Sequence, residues 1–315
     1  MKDLRVIFMG TPDFAVPVLN MLIDNTNVIM VVTQPDKEVG RNHEVRFSPI
    51  KERALKSNIP VFQPIKLKDD YEEIIKMNAD IIVTCAFGQI VPEVILNQPR
   101  LGCINVHASL LPYLRGGAPI HHALIDGYDK TGITIMYMDK GLDTGDIISQ
   151  EELPILDSDN VGTLHDKLSA MGASLLKETL PSIVSGTNNR IKQDDSLSTF
   201  AHNISREEEH LDFNRSAREV FNHIRGLNPF PTSYAIINNE EVKVLEAYIG
   251  ENSSTLSPGT ICDIKKDALG VSTKDKVIYI TKVKPFGKRA MDARDYINGL
   301  NKEEVINTIV VWKIG

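Results

Sequence analysis

At 315 residues the chain is long for one hydrophobic core, so two domains are expected. A formal net charge of −7, from 35 Lys+Arg against 42 Asp+Glu, excludes recognition of a polyanion by overall charge and leaves only local basic clusters for that purpose. Met1-Lys2-Asp3-Leu4-Arg5 puts charges where a secretion signal needs an apolar run, and no stretch reaches membrane-spanning length, so a cytosolic protein without membrane contacts is expected.

In chain order, residues 4–9 read as a strand, with Gly10 turning the chain, Thr11 capping a helix and Pro12 at its first position. Gly10-Thr11-Pro12-Asp13 lacks the second and third glycines of a dinucleotide fingerprint, so no dinucleotide is expected. A second strand covers 28–33, and residues 34–48, with Gly40, Arg41, His43 and Arg46, show no apolar period and read as a loop. Residues 79–85 form a near-continuous apolar run, the pattern of a strand covered on both faces. Cys103-Ile104-Asn105-Val106-His107 alternates with a period of two, so Asn105 and His107 share a face. The stretch from Ser109 through Arg115-Gly116-Gly117 is a tight loop, and Ala118-Pro119 opens a helix. Another strand at 133–138 leads into a turn where Gly141 and Gly145 bracket Asp143. Cys85 and Cys103 thus fall in predicted buried strands; with Cys262 they form an odd set without CxxC spacing, read as reduced, packed thiols rather than metal ligands.

This alternation defines an α/β domain over 1–186 with a Rossmann-like, mostly parallel sheet, ending in a helix over 161–184. Residues 187–206 are polar and aperiodic and read as a linker. A short helix from Ser216 leads to Asn228-Pro229-Phe230-Pro231. Short alternating runs at 233–237, 241–248, 259–264, 269–272 and 277–284 then predict a small β-barrel domain over 207–315.

The chemistry concentrates at Asn105 and His107. An amide and an imidazole on one face, at a strand end, are two donors for a developing oxyanion, which points to acyl transfer. Alone, the same residues read first as a turn-capping amide and a hydrogen-bonded core histidine, and it is their context that points to chemistry. If the strand before Asp143 lies parallel and adjacent, that carboxylate emerges at the same sheet edge and orients the imidazole. Alone, Asp143 reads equally as an Asx turn.

N-x-H, then SLLPxxRGxxP, then the aspartate of GxDTGD identify the chain as similar to the folate-dependent formyltransferases. Residues 5–15, Ala86-Phe87-Gly88-Gln89-Ile90-Val91-Pro92, Ile224-Arg225-Gly226-Leu227-Asn228-Pro229-Phe230-Pro231 and Gly287-Lys288-Arg289-Ala290-Met291 extend the resemblance over nearly the whole chain. It implies Asn105, His107 and Asp143 as catalytic residues. It further implies a wall for the folate from Phe87, Gly88, Gln89, Ile90 and Val91 with Ser109, Leu110, Leu111 and Pro112, and an OB-like second domain. The donor would be 10-formyltetrahydrofolate, used as a co-substrate, and no metal is called for. The second-domain segments select the branch that formylates the α-amine of a methionyl group on initiator tRNA, in a cytosolic monomer. The alternatives are a hydrolase of the same donor and a sugar-amine formyltransferase.

Residues 206–315 hold 16 Lys+Arg and 16 Asp+Glu, so the acidic excess lies before them. Lys282, Lys284, Lys288, Arg289 and Arg294 fall in one short window whose acids include Asp292, a stripe suited to phosphates. Within the resemblance, the 34–48 loop meets the acceptor stem through Arg41, with Arg46 beside it; Asn42, His43 and Glu44 stand where lysines are common.

Overall fold

Strands form where the sequence offers buried apolar runs. They are β1 (Arg5–Gly10), β2 (Asn27–Val32), β3 (Lys37–Val39), β4 (Glu44–Arg46), β5 (Val61–Phe62), β6 (Ile81–Cys85), β7 (Cys103–His107), β8 (Lys130–Tyr137) and β9 (Ile147–Pro154). The computed structural model describes residues 1–39 and 44–310. Seven of these strands make one sheet in the order β5-β2-β1-β6-β7-β8-β9, parallel as far as β7. Every residue of β6 is buried, as its unbroken apolar run predicted.

Only β8 runs the other way, since β9 pairs with it antiparallel and so returns to the direction of β7. β8 pairs with β7 antiparallel, His107 opposite Thr134 and Ile104 opposite Tyr137, so the two strands are neighbours but not parallel ones. The chain therefore leaves β8 three residues, about 10 Å, from His107 along the strand. Asp143 reaches the histidine because the loop after β8 turns back.

Helices α1 (Val16–Asn25), α2 (Pro49–Lys56), α3 (Glu72–Lys76), α4 (Glu93–Leu96) and α5 (Pro119–Ile125) connect these strands, and α6 (Val161–Ser185) follows them. A Cβ on Gly172 of α6 would come 2.9 Å from Val106 Cγ1; the missing side chain lets α6 lie close against the strand that carries the site. Thr11 does not cap a helix. A short 3₁₀ turn starts after Pro12, and the Thr11 hydroxyl instead donates to the Phe87 carbonyl at 2.9 Å. Residues on either side of the undescribed stretch, expected as loop, pair as the antiparallel ribbon β3–β4, with Lys37 opposite Arg46.

The chain divides into two compact units. One comprises Met1–Pro119, Lys130–Pro154 and His165–His202; the other takes Ile120–Asp129, Ile155–Leu164 and the chain from Asn203 onward. In the second unit β10 (Ser233–Ile237), β11 (Glu240–Ser253), β12 (Ile261–Ile264), β13 (Leu269–Ser272), β14 (Lys276–Pro285) and β15 (Met291–Asp292) form an antiparallel sheet, ordered β10-β11-β14-β13-β12 with β15 on β14. Three register shifts against β14 bend β11. The helix α7 (Ala217–Leu227) starts at a capping box, Ser216 with Glu219, and lays Val220 and Ile224 on a core with Val244, Ile280 and Ile297. Arg225 of α7, buried, donates to the Leu156 carbonyl at 2.7 Å, and Gly226 lies against Ile125. No helix of the described residues is long and apolar enough to cross a membrane.

Candidate active site

Asn105 and His107 point to one side of β7, as the alternation required. Thr84, on the neighbouring β6 and directly opposite Asn105, donates its hydroxyl to Asn105 Oδ1 at 2.8 Å. With the oxygen engaged, the amide nitrogen is the end left to donate. Thr84 carries no motif of its own; only strand register places it.

His107 is buried, and its Nε2 lies 3.0 Å from the Leu114 carbonyl, so that nitrogen carries hydrogen and fixes the ring. Nδ1 is 3.7 Å from Asp143 Oδ2, within electrostatic reach but beyond hydrogen-bond length. Orientation of the imidazole, expected from Asp143, thus comes from a backbone carbonyl of the SLLPYLRGG loop. Asp143 in turn accepts the Gly116 N–H at 2.9 Å. Gly116 has φ +117°, and a Cβ there would meet the Ala201 carbonyl oxygen at 2.6 Å, so the position admits only glycine.

The loop after β7 is tied down from β8 and β9. The Thr134 hydroxyl donates to the Ser109 carbonyl at 2.6 Å and accepts the Leu111 N–H at 3.1 Å, while Gln150 donates to the Leu111 carbonyl at 2.9 Å. Ser109 is fully buried with its hydroxyl on the Tyr113 carbonyl, and Leu111 packs on Met136 and Ile147. Leu110 and Pro112 remain half-buried.

After β6, Phe87 and Val91 are buried, Gly88 takes φ +84°, and Ile90 is 87 % exposed. The Gln89 side chain accepts the Leu67 N–H at 2.8 Å and donates to the Pro64 carbonyl at 3.1 Å. Gln89 and Ile90 line a cleft of about 300 Å³ with Lys66, Leu67, Lys68 and Pro92. The Phe87 carbonyl is taken by Thr11 and by Gln34 Nε2 at 3.2 Å. The buried thiols of Cys85 and Cys103 are both pushed up to about 12 by desolvation, which removes them as nucleophiles.

Of the basic residues, Lys282 sits between acids, its Nζ 3.2 Å from Glu246 Oε1 and its backbone beside Asp292. Lys284 lies opposite Lys243, which lies opposite Tyr234, so an aromatic and two cations share one row across β10, β11 and β14. Sequence distance hid Lys243 from the stripe. Lys288 and Arg289 follow in the turn after β14, next to Phe286, which is 81 % exposed. Arg46 is exposed on β4; Arg41 lies outside the described residues.

An amide, an imidazole and a carboxylate gathered beside the carboxyl end of β7 in an open α/β sheet make an arrangement chemically suited to acyl transfer. The chain belongs to the formyl transferase family: the Formyl transferase model matches residues 4–180, and the Formyl transferase, C-terminal domain model matches 203–301. Among curated relatives, methionyl-tRNA formyltransferase of Staphylococcus epidermidis (strain ATCC 12228 / FDA PCI 1200) is 52% identical over 304 residues, 96% of this chain and 98% of that protein. The Staphylococcus aureus (strain MW2) enzyme of that name is 50% identical over 313 residues, 98% and 99% of the two chains. Among solved structures, WlaRD, a sugar 3N-formyl transferase, superposes with a TM-score of 0.68 at 21% identity, covering 92% of this chain and all of that one. An N-formyltransferase from Helicobacter canadensis gives 0.67 at 20% identity, covering 91% of this chain and 100% of its own.

Proposed function

We propose that the chain transfers the formyl group of 10-formyltetrahydrofolate to the α-amine of the methionyl group on initiator tRNA, giving formylmethionyl-tRNA. The observation that carries this reading is the Asn105–His107–Asp143 cluster in a chain about half identical, over nearly its whole length, to methionyl-tRNA formyltransferases.

In this reading the amine attacks the formyl carbon and negative charge develops on the formyl oxygen. Asn105 meets that oxygen with the amide nitrogen that Thr84 leaves available. With Nε2 spent on Leu114, His107 donates from Nδ1 as the protonated imidazolium, whose two ring nitrogens both carry hydrogen. Asp143 accepts the proton the amine must lose, and the same proton, passed to N10, lets the folate nitrogen depart; one C–N bond forms and one breaks, with no net proton change. These three side chains handle every proton and charge in the scheme. The cleft beside Gln89 and Ile90 joins apolar walls to Lys66 and Lys68, which suits a flat ring system with an anionic tail.

For the RNA, two like-charged pairs support the reading. Lys37 faces Arg46 on the ribbon, and Lys243 faces Lys284 in the second unit. Like charges directly opposite repel, and a phosphate between them removes that cost. The first unit then performs the chemistry and the second grips the tRNA, in a cytosolic monomer.

Purified protein supplied with 10-formyltetrahydrofolate and methionyl-tRNA tests this directly, with labelled formyl appearing on the aminoacyl-tRNA as the expected result. Release of free formate without an acceptor would instead make it a hydrolase, and transfer only to a nucleotide-linked amino sugar would place it in the sugar branch.

A further inference from the structure

Residues 187–206, polar and without apolar period, do more than join domains. Ile191 exchanges both backbone hydrogen bonds with Ile147, at 2.8 and 3.0 Å, where β9 begins. Two residues on, Gln193 Nε2 donates to the carbonyls of Asp143 and Gly145, each at 2.8 Å. Its Oε1 accepts from Arg115 Nε at 3.1 Å and Nη2 at 2.8 Å. Arg115 is 3% exposed, and its Nη2 also reaches Asp195 Oδ1 at 2.7 Å. The Arg115 backbone is anchored as well, donating to the Thr199 carbonyl at 2.9 Å and accepting the Ala201 N–H at 2.7 Å.

This arrangement admits one orientation of the Gln193 amide. A guanidinium only donates and a carbonyl only accepts, so Oε1 must face Arg115 and the amino group must face the Asp143 loop. Asp143 needs such a hold. It sits at φ +53°, a left-handed conformation that a non-glycine residue keeps only where its surroundings fix it. Its carboxylate is held by the Gly116 N–H and its carbonyl by Gln193, so Gly116 directly, and Arg115 through Gln193, hold both ends of one residue.

We propose that Gln193, locked by the buried Arg115 guanidinium, is a positioning residue that sets the Asp143 carboxylate beside His107. The proposal rests on Asp143 acting in formyl transfer as read above. Gln193→Glu keeps the acceptor for Arg115 and replaces both donors by an oxygen facing two carbonyls. It should lower kcat roughly 10- to 100-fold, as for a small misplacement of a reacting group, with KM for either substrate changed less than about twofold. In an Asp143→Asn background the same substitution should cost less than about twofold further, because the residue it positions is already disabled. The His107 ring signals in the NMR spectrum should move in Gln193→Glu as they do in Asp143→Asn. A folded Gln193→Glu protein with unchanged kcat, or a full loss repeated in the Asp143→Asn background, would overturn the proposal. Should Gln193→Glu not fold, Gln193→Met, of similar length and without donors, carries the same comparison. If the wild-type chain transfers no formyl to methionyl-tRNA, the functional reading fails, and the His107 signals still decide whether Gln193 positions Asp143.

Discussion

At the scale of single residues, reactivity depends on which atom of each polar group is already engaged. Thr84 consumes the Asn105 oxygen and Leu114 consumes His107 Nε2, which leaves the Asn105 amide nitrogen and His107 Nδ1 for the reaction. Asn105→Ala should therefore lower turnover by about 10²-fold or more at saturating substrate, the scale of removing an oxyanion donor, with folding intact by circular dichroism. Thr84→Val, which frees the amide to rotate without touching substrate, should give a smaller loss of turnover and an unchanged melting temperature to within a few degrees. A larger loss in Thr84→Val than in Asn105→Ala would mean that Thr84 acts in some way other than through the amide. Gly116→Ala combines a disallowed φ with a 2.6 Å approach to the Ala201 carbonyl and displaces the N–H that holds Asp143. It should cost about 1–3 kcal/mol in denaturant unfolding and most of the activity; a variant with wild-type stability would show that the loop relaxes freely.

Among elements, α7 couples the second unit to pH. Burial holds the His223 imidazole below its usual range, against a smaller opposing effect of its bond to the Glu208 carbonyl. The folded state thus prefers the neutral ring. That contribution is complete above about pH 6.5, the unfolded value, and is lost as pH falls through the lower folded value. Glu219 and Asp275, both held below the carboxylate range mainly by hydrogen bonds at the start of α7, lose theirs further down, as pH falls through the lowered folded values. Urea midpoints measured from pH 7 to 5 should fall in the wild type and fall less in His223→Gln, whose amide can still donate to Glu208. Parallel slopes for the two proteins would remove His223 as the cause.

On the scale of the whole molecule, compact units are not consecutive stretches of chain. Residues 120–129 and 155–164 pack with the second unit, where Arg225 bonds the Leu156 carbonyl and Gly226 meets Ile125. A chain ended near Arg206 should consequently bind a hydrophobic dye and aggregate; a monodisperse truncated protein would show that those segments need no cover. Charge is also organised above the level of sequence. Replacing Lys243 and Lys284 together by Ala should weaken tRNA binding and reduce the salt slope by about 0.9 for each duplex phosphate that is no longer neutralised. Lys282→Ala, already paired with Glu246, should change it little. If Lys282→Ala proved the more damaging, the row across β10, β11 and β14 would not be the RNA surface.

The alternation of β7 put Asn105 and His107 on one face, the apolar run of β6 made a central strand, and the five short runs of the second unit became strands close to where periodicity placed them. Local pattern was enough there, because face and strand length follow from neighbours a few residues apart. What needed tertiary structure was every relation between distant segments. The sign of the β7–β8 pairing, Thr84 beside Asn105, Leu114 on His107, and Lys243 opposite Lys284 join residues whose sequence neighbourhoods carry no mark of one another. Gln193 is the sharpest case. A polar, aperiodic stretch carries no periodic signal of burial, so its grip on Asp143 exists only through the fold that brings the two, fifty residues apart, to 2.8 Å.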